Sequence, residues 1–134
     1  MALPFQAKYA LSTNNKEMID DIMNQFNNVR KYLFDEERRL YVHAYDETKS
    51  MQWANKENGK APNVWSRACG WMAMALIDLY EILFEKYPEY SATLFNLLKE
   101  EIDGIIPYLD KKTKMVKQVI DANDDKNYLE TSGS

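Results

Sequence analysis

Cysteine and histidine are almost missing from this 134-residue chain, which holds one of each, Cys69 and His43. A lone cysteine cannot close an internal disulfide, and the two residues fall short of the clustered Cys/His ligands of a zinc site. Neither a metal nor another cofactor is expected. Glycine and proline are scarce as well, four of each, roughly half of their usual combined share of about 12%. So few turn-formers imply long helices. Positive charge is not in excess: 17 Lys+Arg against 21 Asp+Glu leave a net charge of −4, and basic residues sit beside acids, as in Asp35-Glu36-Glu37-Arg38-Arg39. No basic footprint for nucleic acid is present. Long hydrophobic runs are lacking too, since Asp78 and Glu81 interrupt Gly70 to Phe84 well before the ~18–20 residues of a membrane span. No membrane partner is expected. The stretch Met1-Ala-Leu-Pro-Phe-Gln-Ala-Lys8 has neither the charged n-region nor the apolar h-region of a secretory signal, which points to a cytoplasmic protein.

What is present is the material of a globular core, 46% hydrophobic and 28% charged residues, in a length that suits one domain. Leu3, Ala7 and Leu11 recur four apart after Pro4, predicting a helix over residues 2–11. Asn14 with Glu17 three residues on resembles a capping box. Met18, Ile19, Ile22, Phe26, Val29 and Leu33 then repeat with helical period and predict a helix over 15–34. From Asp35 to Trp53 the period falls to two, with Tyr41, His43 and Tyr45 alternating with Leu40, Val42 and Ala44, so a short strand or extended segment is expected. Asn55 to Asn63 reads as a loop. Ser66 to Lys86 is apolar on most of its circumference near its start, the mark of a helix buried on several sides; Pro88 ends it, and Ser91 to Leu109 forms the second arm of an αα-hairpin. Lys114 to Asp121 looks strand-like, and Tyr128 to Ser134 looks like the opening of another helix.

Few residues carry chemistry. His43 has the one side chain whose ordinary titration lies near neutrality, and it stands between Tyr41 and Tyr45, where a lone histidine is more often a hydrogen-bonded structural residue. Arg67 and Trp71 are four apart, so they share a face of the first turns of the apolar helix. Two readings are open for this guanidinium, which needs acceptors if it is buried. One is a structural ion pair with Asp46 or Glu47; the other is an anionic ligand held by Arg67 beside the indole of Trp71. Trp65, Trp53 and Tyr45 lie on segments that would meet at the mouth of a helix bundle, where aromatic faces suit sugar rings, although aromatics also serve a core.

The segments Leu40-Tyr-Val-His-Ala-Tyr-Asp-Glu47, Trp53-Ala-Asn55, Trp65-Ser-Arg-Ala-Cys-Gly-Trp-Met-Ala-Met-Ala-Leu76 and Asn127-Tyr-Leu-Glu-Thr-Ser-Gly-Ser134 together resemble glycoside hydrolase family 105, related to family 88, the unsaturated rhamnogalacturonyl hydrolases. The resemblance runs collinearly over nearly the whole chain, and Trp-x-Arg-x-x-Gly-Trp is its most specific part. It implies an all-α fold, an (α/α)6 barrel or six-hairpin toroid, of which residues 1–134 would form a partial catalytic domain with about four helices and short extended segments. It implies removal of a 4,5-unsaturated galacturonic acid from pectin-derived oligosaccharides. In that chemistry an Asp protonates C4 of the vinyl ether, water adds at C5, and the resulting hemiketal opens to release the neighbouring sugar, unlike the two-carboxylate scheme centred on C1. His43 matches the family's active-site histidine, and Arg67 and Trp71 match its pocket Arg and Trp, with Trp65 beside them. A planar fork can take the uronate carboxylate in bidentate fashion while an indole covers the ring.

One departure accompanies the match. The family's acid lies on Asp-x-x-Tyr-Met, and the overlapping Met-x-x-Pro-Phe corresponds to Met1-Ala-Leu-Pro-Phe5, so the acid is expected just before residue 1. Asp46 matches a different position. A complete toroid also needs on the order of 220 residues from mean helix and loop lengths. An internal piece of such a hydrolase, inactive alone and prone to oligomerise through the apolar edges where the ring is cut, is therefore the expectation. The alternative is a non-catalytic helical-hairpin module that binds a glycan or a protein. A sugar epimerase of the acylglucosamine type is a third, without the Trp-x-Arg-x-x-Gly-Trp pairing.

Overall fold

A computed structural model describes residues 2–134. Helices α1 (Ala2–Ser12) and α2 (Lys16–Leu33) form one hairpin, α3 (Ser66–Leu83) and α4 (Pro88–Ile105) a second. The faces that meet are the apolar ones of the sequence: Ala7 and Ala10, then Ile19, Ile22 and Phe26, then Leu76, Leu79 and Leu83, then Leu94 and Leu98 form one buried cluster. The small alanines of α1 allow close approach of the helices, and burial of each large side chain contributes about 1.5–3 kcal/mol. Among the described residues no helix is long and apolar enough to cross a membrane.

Helix ends differ in detail from the sequence expectation. Asn15, not Asn14, caps α2, its side chain accepting from the Met18 amide at 3.1 Å. Asn14 instead takes φ 52°, and the Asn14 and Asn15 amides return to the carbonyls of Leu11 and Ala10, so the asparagine closes α1 with a left-handed residue. Pro88 starts α4 rather than merely ending α3. A proline costs nothing in the first turn, where its missing N–H would have had no partner. A 3-10 turn, Ile106–Tyr108, extends α4.

The rest of the chain lies against the hairpin ends. Strand β1 (Phe34–Asp35) pairs antiparallel with β2 (Leu40–Tyr41), Phe34 opposite Tyr41. The period-two pattern expected through Tyr45 stops there: Leu40, Tyr41 and Val42 are all buried, and the chain bends at His43. Strand β3 is limited to Val116–Lys117 and pairs with β4 (Leu129–Glu130). The expected helix opening over Tyr128 to Ser134 is therefore a strand followed by a 3-10 turn, Thr131–Gly133. Two glycines explain why this tail lies where it does. A Cβ on Gly70 would come within 2.8 Å of the Ser132 carbonyl oxygen, and one on Gly133 within 2.6 Å of the Ser66 backbone. Only backbone meeting backbone lets the tail touch the first turn of α3.

Candidate functional site

The first turns of α3 carry most of the site. Trp65 stands at the N-cap position and bridges to Val119, while the Ser66 amide donates to the Gln118 carbonyl at 3.0 Å. The β3 segment thus fixes where the helix begins, and Arg67 and Trp71 project one turn apart. His43 is delivered by the bend after β2. Its ring meets Trp65 edge-on, with centroids 6.2 Å apart and planes at 80°. The Arg67 guanidinium lies 5.5 Å from the Trp65 ring centroid, within cation–π range. Trp65 is thus a neighbour of both His43 and Arg67.

His43 and Trp71 also line one cavity of about 270 Å³ together with Tyr41, Cys69 and Glu101. The indole of Trp71 is 51% exposed, unusual for so large an apolar group on an otherwise buried helix. The structure thus brings all four residues singled out in the sequence to one end of α3. Trp65 and Arg67 are not among the residues lining that cavity.

Arg67 does have a protein partner, though not one of the acids suggested by sequence. Its Nε donates to Ser132 Oγ at 3.1 Å, and its Nη2 lies 3.4 Å from Glu130 Oε2. Asp46 is occupied elsewhere, accepting from Thr48 and Met51 within its own loop. The Ser132 amide and hydroxyl, with Arg67 behind them, hold the Glu130 carboxyl below the usual carboxylate range, so it stays ionised and fixes the guanidinium plane. A guanidinium has five N–H donors, and Nη1 of Arg67 has no hydrogen-bond partner among the described residues. With its side chain 39% exposed, this is an oriented cation with spare donors rather than a sealed ion pair.

Other groups are excluded by their surroundings. Burial pushes the Cys69 thiol up to about 12, which removes it as a nucleophile at neutral pH. Tyr45 stacks on Tyr32 at 5.0 Å and Trp53 is an exposed loop residue, and neither is among the residues lining the cavity of His43 and Trp71. The residues missed by sequence reasoning are Glu130 and Ser132, which hold Arg67, and Glu101 in the cavity. For Glu130 and Ser132 the signal is the segment Asn127 to Ser134, a motif whose local pattern suggests a helix opening; Glu101 has no such signal.

Comparison with known proteins follows the geometry. The family described as Glycosyl Hydrolase Family 88 matches residues 1–134. Protein Atu3128 of Agrobacterium fabrum and a 24.9 kDa protein in the picA locus of Rhizobium radiobacter are each 40% identical over 137 residues, spanning 100% of this chain and 56% of theirs. A solved glycoside hydrolase from family 105 of C. acetobutylicum ATCC 824 superposes with a TM-score of 0.89 at 38% identity, covering 98% of this chain and 37% of that one. A family 88 glycosyl hydrolase from Bacteroides vulgatus shares the fold, with a TM-score of 0.75 at 19% identity over 98% of this chain and 36% of that one. The chain spans about half the length of the relatives and about a third of the solved structures. It belongs to Glycosyl Hydrolase Family 88, and its two hairpins are part of an all-α helical barrel.

Proposed function

We propose that this chain contributes the uronate-holding wall of a glycoside hydrolase site of the unsaturated rhamnogalacturonyl type. The observation that carries the reading is Arg67, an oriented, part-exposed guanidinium with an unpartnered Nη1, placed one helical turn from the exposed indole of Trp71. The carboxylate of a terminal 4,5-unsaturated galacturonic acid takes the free N–H groups of Arg67. The flat unsaturated ring lies on the indole face, where stacking and burial both favour it. His43, backed edge-on by Trp65, faces the same cavity as Trp71 and is within the zone where the vinyl ether is hydrated.

The reaction follows from the substrate's own double bond. A proton adds to C4 and the oxygen of a water bonds to C5 as one of its protons leaves; the C5 hemiketal then opens by breaking C5–O5 to a ketone, and the hemiacetal left at C1 collapses to an aldehyde, releasing the neighbouring sugar as its alcohol. By the resemblance, the proton to C4 comes from the Asp of the family's Asp-x-x-Tyr-Met segment, and His43, Arg67 and Trp71 are not assigned that step. Positioning is what this chain supplies, and the acid contributes the remaining proton transfer.

The test uses the purified chain and an unsaturated galacturonyl-rhamnose disaccharide. Saturable binding by calorimetry without loss of the ultraviolet vinyl absorbance is the expected result, with affinity reduced at least about tenfold in Arg67→Ala, the loss of one charge-assisted contact of about 1.5–3 kcal/mol. Robust turnover by the chain would show that its residues supply the proton as well and refute a purely positioning role. Equal binding of the disaccharide and of uncharged rhamnobiose would favour a general glycan-binding module instead.

A further inference from the structure

Glu101 is the group in the helix pair that the proposed chemistry leaves unused. It projects from α4, is 2% exposed, and both of its carboxyl oxygens are buried with no hydrogen-bond partner among the described residues. Cavities lie on either side of it. One is the space shared with Tyr41, His43 and Trp71; the other, about 340 Å³, is lined by Gly70, Met74, Ile105 and Ser132, and Cys69 borders both. An unpaired carboxylate in such a place costs several kcal/mol. The group therefore keeps its proton, and burial raises its titration to about 8.

No neighbour relieves that cost. Cys69 faces Glu101 from α3 with a thiol that burial also keeps protonated. Tyr41 faces it from β2 and donates its hydroxyl to Glu100 at 2.6 Å, and Arg30 on α2 is held by Glu36 and Glu100. His43 shares the first cavity. Cys69 lies between Arg67 and Trp71 in the first two turns of α3, so a displacement of Cys69 displaces both. We propose that Glu101 is a positioning residue for the Arg67–Trp71 site: its neutral carboxyl lets α4 close against the first turns of α3, and the ionised carboxylate, pressing charge into an apolar seam, releases them.

This inference rests on the uronate-holding reading above, and the experiment separates the two. Tryptophan fluorescence and affinity for the unsaturated galacturonyl-rhamnose disaccharide are followed from about pH 6 to about pH 9 in the 134-residue chain. The expected result is a fluorescence transition near pH 8 and an affinity that falls about tenfold by about pH 9, as for one linked proton. In Glu101→Gln both become flat over that range, while His43→Gln keeps the fluorescence transition. Glu101→Leu, which removes the charge and fills the seam, is also flat, so the result does not depend on tolerance of a buried amide. A merely structural role would lower stability without moving the transition. If the transition persists in both Glu101 variants while the wild type binds and Arg67→Ala does not, the inference fails and the uronate reading stands. If the wild type binds at no pH, both fall.

Discussion

The two buried clusters of this molecule are built on different principles. The helical cluster, centred on Ile22, Leu76, Leu79 and Leu94, is purely apolar. The second, made of Leu40, Val42, Ala61, Val64, Cys69, Val116 and Ile120, is contributed mainly by extended segments and fastened by polar side chains around it. Arg38 bonds Asp35, Asp121 and the Pro62 carbonyl, and Asp121 accepts in turn from the Val64 amide at 2.9 Å. Asn127 closes the turn after β3 through Val119 and Ala122. A helix satisfies its own backbone, so its packing needs only shape; irregular segments must find partners for each amide and carbonyl. The site stands at the border of the two, on a helix whose start is set by the second cluster.

That contrast can be broken at graded cost. Leu79→Ala in the helical cluster should destabilise by about 3 kcal/mol, within the range for truncating a buried leucine, as read by urea unfolding. Asp121→Ala should cost about 2 kcal/mol, less than a fully buried pair because Arg38 is partly exposed. Unlike Leu79→Ala, it should also weaken disaccharide binding, since it frees the loop that fixes Trp65.

A pH series sharpens the comparison, because the carboxyl buried between α4 and α3 and the one that Arg38 holds beside the second cluster titrate with opposite sign. Glu101 binds its proton more tightly folded, at about 8 against an ordinary 4.5. Its contribution is intact below the ordinary value and is lost as pH rises toward 8. Asp35 goes the other way: burial pushes its carboxyl up, but the Arg38 amide and guanidinium outweigh it and leave the carboxyl below its ordinary range. That contribution is present above the ordinary carboxylate range and is lost as pH falls below it. Glu101→Gln should therefore gain about 4 kcal/mol near pH 8 and nothing near pH 4, whereas Asp35→Asn should lose its penalty as the pH is lowered. The smallest stability effect belongs to Arg67→Ala, within about 1 kcal/mol because the pair is part-exposed, and it is paired with the largest loss of binding.

Legibility in the sequence follows the same division. The four helices are written as repeated apolar positions, and the structure places them within a few residues of expectation. The caps slipped by one residue because Asn14 and Asn15 are chemically alike, and only the left-handed turn at Asn14 tells which closes α1. The tail was misread because Tyr128 to Ser134 carries no period of its own: its conformation comes from Gly70 and Gly133 meeting backbone and from Glu130 turning its carboxylate onto Ser132. Arg67 and Trp71 were readable as a pair from their spacing. The partner of Arg67 was not, because Glu130 lies 63 residues away and reaches it through tertiary packing alone.

The central claim is that Arg67 holds a uronate carboxylate beside Trp71. It is tested most directly by comparing the affinities of the unsaturated galacturonyl-rhamnose disaccharide and its methyl ester for the wild-type chain and for Arg67→Ala. A carboxylate–guanidinium contact predicts that esterification weakens binding about tenfold or more in the wild type and makes no difference once Arg67 is gone. Equal sensitivity to the ester in both proteins would contradict it.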